Sequence, residues 1–284
     1  MRKRETEKMV QTKTNIIYNS DVREVLKNYP DCYFDCIVSD VPYRIKTGGV
    51  RTTVEAALKH KNDPKGCLAR VAIKDPLKAR WFKPGCEFSE NFIASGKLFK
   101  NCEIKFKEWL PEVFRVTKEN SHVYFMVNDV NLKELWEEAE KVGFKFQTLL
   151  VWKKQNKTPN KYYMKQAEFI LFMRKGKAKN INYMGVSTVF EIPNIIGNKK
   201  HPTEKPIELM ESFIVQSTKQ NDIVLDMFCG SGSTLCACAK TNRQYVGIDI
   251  DKKFTDIAQK RINELEVNKP AENNNNFVQL HWSF

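Results

Sequence analysis

Short apolar runs that close on an acid punctuate this chain. Residues 223–225 lead into Asp226, residues 245–248 into Asp249, and residues 34–38 run through Ser39 to Asp40. Apolar runs of this length predict strands buried on both faces, as in a parallel sheet. Further strands are predicted over 15–18, 122–127, 144–152 and 167–173. Between them the pattern changes to helical spacing. Helices are predicted over 22–28, closed by Pro30; around Phe106, Trp109, Leu110 and Val113; over 132–142, stopped by Gly143; over 207–217, entered through Pro206; and over 235–240 and 253–265. Strands alternating with helices predict an α/β fold with a mostly parallel central sheet flanked by helices and interrupted by inserted loops.

Residues 1–14 read as a basic tail, 15–265 as a single domain and 266–284 as a polar tail. Two stretches inside the domain stand apart from this alternation. Residues 44–98 carry Gly48-Gly49, Pro64, Pro76 and Pro84 among many basic side chains, and read as a mobile basic loop. Residues 153–200 begin with Lys, amide and aromatic residues up to Tyr163, a composition suited to a nucleic-acid contact loop. They are expected to interrupt the core topology and to recognise a target.

The most informative stretch is 222–251. A predicted strand ends at Asp226 and breaks into Phe228-Cys229-Gly230-Ser231-Gly232, with Ser233 and Thr234 placed to cap the next helix. The glycines let a ligand approach the backbone. Asp249 follows about 20 residues later, where a carboxylate accepts from ribose hydroxyls. Together these features predict adenosine binding. The third glycine of a dinucleotide fingerprint is replaced by Leu235, and no Gly-Lys-Ser/Thr follows as in a phosphate loop.

A second stretch, Asp40-Val41-Pro42-Tyr43, stands at the carboxyl end of a predicted buried strand, where such sheets place their sites. Pro42 fixes the path of the Val41 backbone. One carboxylate, one carbonyl and one ring then suit a planar base with an exocyclic amine, although a strand-to-loop turn explains the same residues.

The formal charge of +13 and pI near 9.3 point to a polyanionic partner. No apolar run is long enough to span a bilayer, and the charged N-terminal stretch has no signal-peptide core, so a cytoplasmic protein is expected. Eight cysteines include no Cys-x-x-Cys pair; reduced thiols and no metal are expected.

Asp40-Val41-Pro42-Tyr43, then His201-Pro202-Thr203-Glu204-Lys205-Pro206, then Asp226 to Thr234 resemble the signatures of the amino-methylating DNA methyltransferases, in the order of their beta group. The resemblance covers about residues 15–265 and implies the Rossmann-like methyltransferase fold. It also implies a catalytic set of Asp40, Val41, Pro42 and Tyr43. The S-adenosylmethionine pocket would comprise Asp21, His201, Thr203, Lys205, Asp226, Phe228, Cys229, Gly230, Gly232, Ser233, Thr234 and Asp249, with Asp249 on the ribose, Asp21 near the adenine, and Thr203 and Lys205 near the methionine part. Val41 departs from the family's usual Asp-Pro-Pro-Tyr, at a position that acts through its carbonyl. An opening Asp is the family's adenine pattern, whereas an opening Ser marks cytosine-N4 enzymes and an opening Asn those acting on protein glutamine. The implied substrate is a flipped-out adenine in double-stranded DNA; cytosine N4, RNA, and an inactive cofactor- or DNA-binding subunit are the alternatives. Monomer and homodimer, and a solitary enzyme or one with a cognate restriction enzyme, fit the sequence equally.

Overall fold

The structure, a computed structural model, describes residues 12–42, 104–158, 163–195 and 204–267. The expectations for the N-terminal tail up to residue 11, the loop over 44–98, Tyr43, His201, Thr203 and the tail beyond 267 lie outside the described residues.

The described strands are β1 (Ile16–Asn19), β2 (Phe34–Asp40), β3 (Thr117–Val127), β4 (Lys145–Thr158), β5 (Lys165–Arg174), β6 (Val189–Phe190), β7 (Ile223–Asp226) and β8 (Gln244–Asp249). The helices are α1 (Val22–Leu26), α2 (Phe106–Val116), α3 (Asp129–Lys141), α4 (Ile207–Ser217), α5 (Ser233–Lys240) and α6 (Lys252–Val267). One sheet takes the order β1-β8-β7-β2-β3-β5-β4-β6. Every neighbouring pair is parallel except β3 with β5 and β5 with β4.

Alternation along the central strands explains why both faces are covered. Ile37 of β2 and Val123 and Phe125 of β3 pack with α1, α2 and α3, whereas Cys36, Val38, Tyr124 and Met126 pack with α4, α5 and α6. Each strand thus feeds two apolar layers, the arrangement expected of a doubly wound α/β sheet. Cys36, Cys229, Cys236 and Cys238 are buried and behave as small apolar side chains.

Residues 153–158 continue β4 as a strand instead of starting a loop, and within 153–200 the strands β5, at the expected place, and β6 pair into the same sheet. Lys153-Lys154-Gln155-Asn156-Lys157 is polar on both faces and carries no periodic signal. Its pairing with β5 is supported by tertiary contacts, including a Lys154–Glu168 ion pair at 2.8 Å. Among the described residues no helix is long and apolar enough to cross a membrane, and no cluster of three or more His, Cys, Asp and Glu could hold a metal.

Candidate active site

The carboxyl ends of β1, β8, β7 and β2 lie side by side, and three of them end in an acid: Asp249, Asp226 and Asp40. Chain direction reverses its progress across the sheet between β7 and β2, since β7 leads through α5 to β8 on one side and β2 leads to β3 on the other. Such a switch point opens a crevice at the strand ends. Here it is bridged by Ser39, whose hydroxyl donates to Asp226 Oδ1 at 2.7 Å.

The Gly-rich turn is held by backbone bonds. The Cys229 N–H donates to the Ile248 carbonyl at 2.9 Å, and the Gly232 N–H to the Cys229 carbonyl at 2.7 Å. Gly232 has φ +80°, and a Cβ there would lie 2.7 Å from the Cβ of Ala258. Both the left-handed backbone and the approach of α6 therefore require glycine. Gly232 is also the N-cap of α5 and no side chain caps that helix, so Ser233 and Thr234 stand in its first turn, contrary to the capping role expected of them. Cys229, Ser233 and Thr234 are buried, so their side chains shape the turn from within.

Asp249 ties the turn to the sheet. Its Oδ2 accepts from the Gly230 N–H and its Oδ1 from the Asp251 N–H, each at 2.9 Å. Each oxygen keeps acceptor capacity for a further donor. Burial raises the Asp249 pKa, with the backbone donors acting against that rise. A desolvated acceptor beside an open glycine turn fits a ribose diol. If the S-adenosylmethionine that the resemblance implies binds here, Asp249→Ala is expected to weaken its binding about 10- to 100-fold, by losing one or two charge-assisted hydrogen bonds. Titration calorimetry reads this directly, and unchanged affinity removes Asp249 from the ribose position. Phe228 packs edge-on against Trp109 with ring centroids 5.5 Å apart, which fixes the wall beside the turn. Asp21 is the N-cap of α1 and accepts from the Arg23 N–H at 2.8 Å; its carboxylate also pairs with the Arg23 guanidinium, which lowers its pKa.

Asp226, expected among the cofactor contacts, is 3% exposed and serves the protein interior. It accepts from Ser39, from the Phe228 N–H and from Thr234. Burial nevertheless pushes its pKa up to about 6. A raised carboxyl pKa means that ionisation costs stability at neutral pH, and that this cost disappears as pH falls through 6. Asp226→Asn keeps an acceptor for Ser39 and Phe228 but cannot ionise. Between pH 7 and about pH 3.5 the stability of the wild type relative to this variant should rise by up to about 3 kcal/mol. Urea melts at both pH values check this; a flat or opposite trend contradicts the assignment.

Asp40 ends β2. Its Oδ2 accepts from the Lys205 ammonium at 2.7 Å, while its Oδ1 is buried with no hydrogen-bond partner among the described residues. Val41 is buried and its N–H donates to the Met126 carbonyl at 3.2 Å, which anchors the chain just past Asp40. Pro42, partly buried, is the last described residue of this segment. Burial raises the Asp40 pKa; Lys205 opposes the rise and Glu168 adds to it. A buried, unpartnered acceptor is costly unless a donor arrives. Its place at the switch point leaves Oδ1 able to accept from an N–H brought to it.

The structure adds residues that the sequence reading did not select. Glu168 of β5 pairs with Lys205 at 3.1 Å and with Lys154 at 2.8 Å. Arg261 of α6 donates to the Ser231 carbonyl at 2.7 Å and pairs with Glu204 at 3.0 Å. A carboxylate inside the apolar run of β5 was a visible signal for Glu168; Arg261 sits in an amphipathic helix and gave none.

The description "DNA methylase" belongs to the family whose sequence pattern matches residues 34–260. The type II methyltransferase M2.DpnII of Streptococcus pneumoniae is 27% identical over 266 residues, covering 87% of this chain and 89% of its own. M2.LlaDCHI of Lactococcus lactis subsp. cremoris is 26% identical over 268 residues, covering 88% and 89%. Among solved structures, M1.HpyAVI in complex with SAM superposes with a TM-score of 0.57 at 24% identity, covering 86% of this chain and 98% of its own. PvuII DNA methyltransferase, described as cytosine-N4-specific, reaches 0.61 at 13% identity, covering 93% and 89%. These two superpositions bear on the fold alone.

Proposed function

Because the chain belongs to the DNA methylase family, and is thus an S-adenosylmethionine-dependent, amino-methylating DNA methyltransferase, we propose that its target is the N6 amine of adenine at specific sites in duplex DNA. The observation that carries this is the buried, unpartnered Oδ1 of Asp40 at the sheet's switch point. An exocyclic amine is a weak nucleophile because its lone pair is delocalised into the ring. Asp40 Oδ1 and the Val41 carbonyl accept its two hydrogens, which favours a pyramidal nitrogen with a free lone pair. S-adenosylmethionine supplies the electrophilic methyl group. Positioning and electrostatics account for the rest, with no covalent enzyme intermediate. The base must leave the duplex, at a cost of a few kcal/mol; stacking on Tyr43 offsets part of this, about 1–3 kcal/mol.

Gly230, Gly232 and Phe228 line the cofactor pocket in this reading, Asp249 holds the ribose and Asp21 stands toward the adenine. The opening Asp40 supports adenine over cytosine, following the family's pattern. The β4–β5 hairpin is our candidate for target recognition. β4 ends at Thr158 and β5 begins at Lys165 on the same sheet edge as Asp40, and Tyr163 there is 92% exposed. The likeness to type II methyltransferases supports a role in site-specific modification.

The test is direct. The protein is incubated with unmethylated genomic DNA and methyl-labelled S-adenosylmethionine, and the DNA is digested to nucleosides. Label in N6-methyladenine is expected; label in N4-methylcytosine overturns the adenine assignment and leaves the family chemistry intact.

A further inference from the structure

We propose that Glu168, acting through Lys205, is a positioning residue for Asp40: together they hold one carboxylate oxygen so that the other faces the target amine as an ionised acceptor. This rests on the amine-acceptor reading above and adds two residues to it.

Four charges of alternating sign are linked by successive contacts at the site. Lys154 of β4 contacts Glu168 Oε1 at 2.8 Å; Glu168 Oε2 contacts Lys205 at 3.1 Å; Lys205 contacts Asp40 Oδ2 at 2.7 Å. Three strands and the segment entering α4 each supply one member. The Lys205 side chain is 7% exposed, so its ammonium is held by these contacts and not by water. A carboxylate pivots about its Cβ–Cγ bond; an ammonium fixed on Oδ2 removes that freedom and leaves Oδ1 as the oxygen presented to substrate. Lysine is a flexible point charge and cannot orient itself. Glu168 supplies the second anchor, and Lys154 in turn holds Glu168.

The charges facing Asp40 are Lys205, Glu168 and Lys154, with Asp226 on the neighbouring strand. Burial would raise the Glu168 pKa, but its two lysines hold it down at about 2, so it stays anionic at every working pH. It therefore exerts two opposing influences. It keeps Lys205 in place, and its charge disfavours ionisation of Asp40, whose pKa is already raised chiefly by burial. A neutral isostere at either position separates these influences, because Glu168→Gln removes the like charge and Lys205→Met removes the opposite one.

The experiment follows the Asp40 carboxyl by carbon NMR in aspartate-labelled protein, with Asp40→Asn identifying the signal, alongside pH–rate profiles of methyl transfer to DNA. Glu168→Gln should lower the Asp40 titration midpoint, shift the acid limb of kcat to lower pH, and still reduce kcat about 10- to 100-fold through loss of orientation. Lys205→Met should shift both midpoint and limb to higher pH. Opposite displacements support the proposal. Midpoints that stay fixed, or that move together, overturn it and leave a purely structural ion pair. The NMR titration needs no turnover, so the inference is decided even if the wild type methylates no adenine, an outcome that the nucleoside analysis reports separately.

Discussion

Asp40→Ala is expected to lower the rate of methyl transfer by at least about a thousandfold, roughly 4 kcal/mol of transition-state stabilisation, while S-adenosylmethionine affinity changes by less than about threefold. In the proposed reading, the target amine loses its only charged acceptor, and the Val41 carbonyl alone cannot hold both hydrogens. The fold should persist. Burial raises the pKa of Asp40 in the folded protein, so the ionised carboxylate is a cost to folding at neutral pH and its removal relieves that cost. Lys205 keeps Glu168 as a partner at 3.1 Å, so no bare ammonium is left behind. A variant that loses activity while holding or gaining thermal stability is the pattern of a site maintained for chemistry. Single-turnover assays with saturating cofactor, paired with binding calorimetry and thermal melts, resolve the three quantities. Retained turnover removes Asp40 from the catalytic role.

Much of this site was legible because the ends of buried strands are marked by abrupt changes in polarity. Asp226, Asp249 and Asp40 each follow an apolar run, and each lies at the carboxyl edge of its strand. Helix α4 begins after Pro206 as its sequence requires, and its bounds match the apolar spacing. What escaped were contacts between elements far apart in the chain. β4 runs on to Thr158 through a stretch with no alternation, because partner strand β5 and the Lys154–Glu168 pair stabilise it. Side-chain direction within the Gly-rich segment was not legible either. Asp226 and Thr234 lie there, but they are turned inward and bonded to each other. Lys205, expected near the methionine part of the cofactor, has its ammonium on the Asp40 carboxylate, a contact that the motif alone does not show. Order along the chain identifies a motif; only the register between β7 and β2 shows which of its groups face the crevice.

The turn that follows β7 is held from behind by Arg261, and removal of this clamp is the second large effect. Arg261→Met is expected to destabilise the protein by about 3–5 kcal/mol and to weaken cofactor binding. Arg261 and Glu204 are both nearly inaccessible, with side chains 9% and 4% exposed, and their charges meet at 3.0 Å. The same guanidinium donates to the Ser231 carbonyl and approaches the hydroxyls of Ser231 and Ser233 at 3.2 and 3.5 Å. It therefore joins α6, the segment entering α4 and the glycine turn in one buried group. Methionine fills a similar volume but leaves the Glu204 carboxylate and the Ser231 carbonyl without the guanidinium in a dry setting. Adding Glu204→Gln to Arg261→Met should restore part of the loss, since the two charges meet in one buried pair. Urea unfolding of the two single variants and the double closes the cycle. Strictly additive losses would mean that the pair contributes packing alone, and an unchanged Arg261→Met midpoint would mean that the turn holds its shape without the clamp.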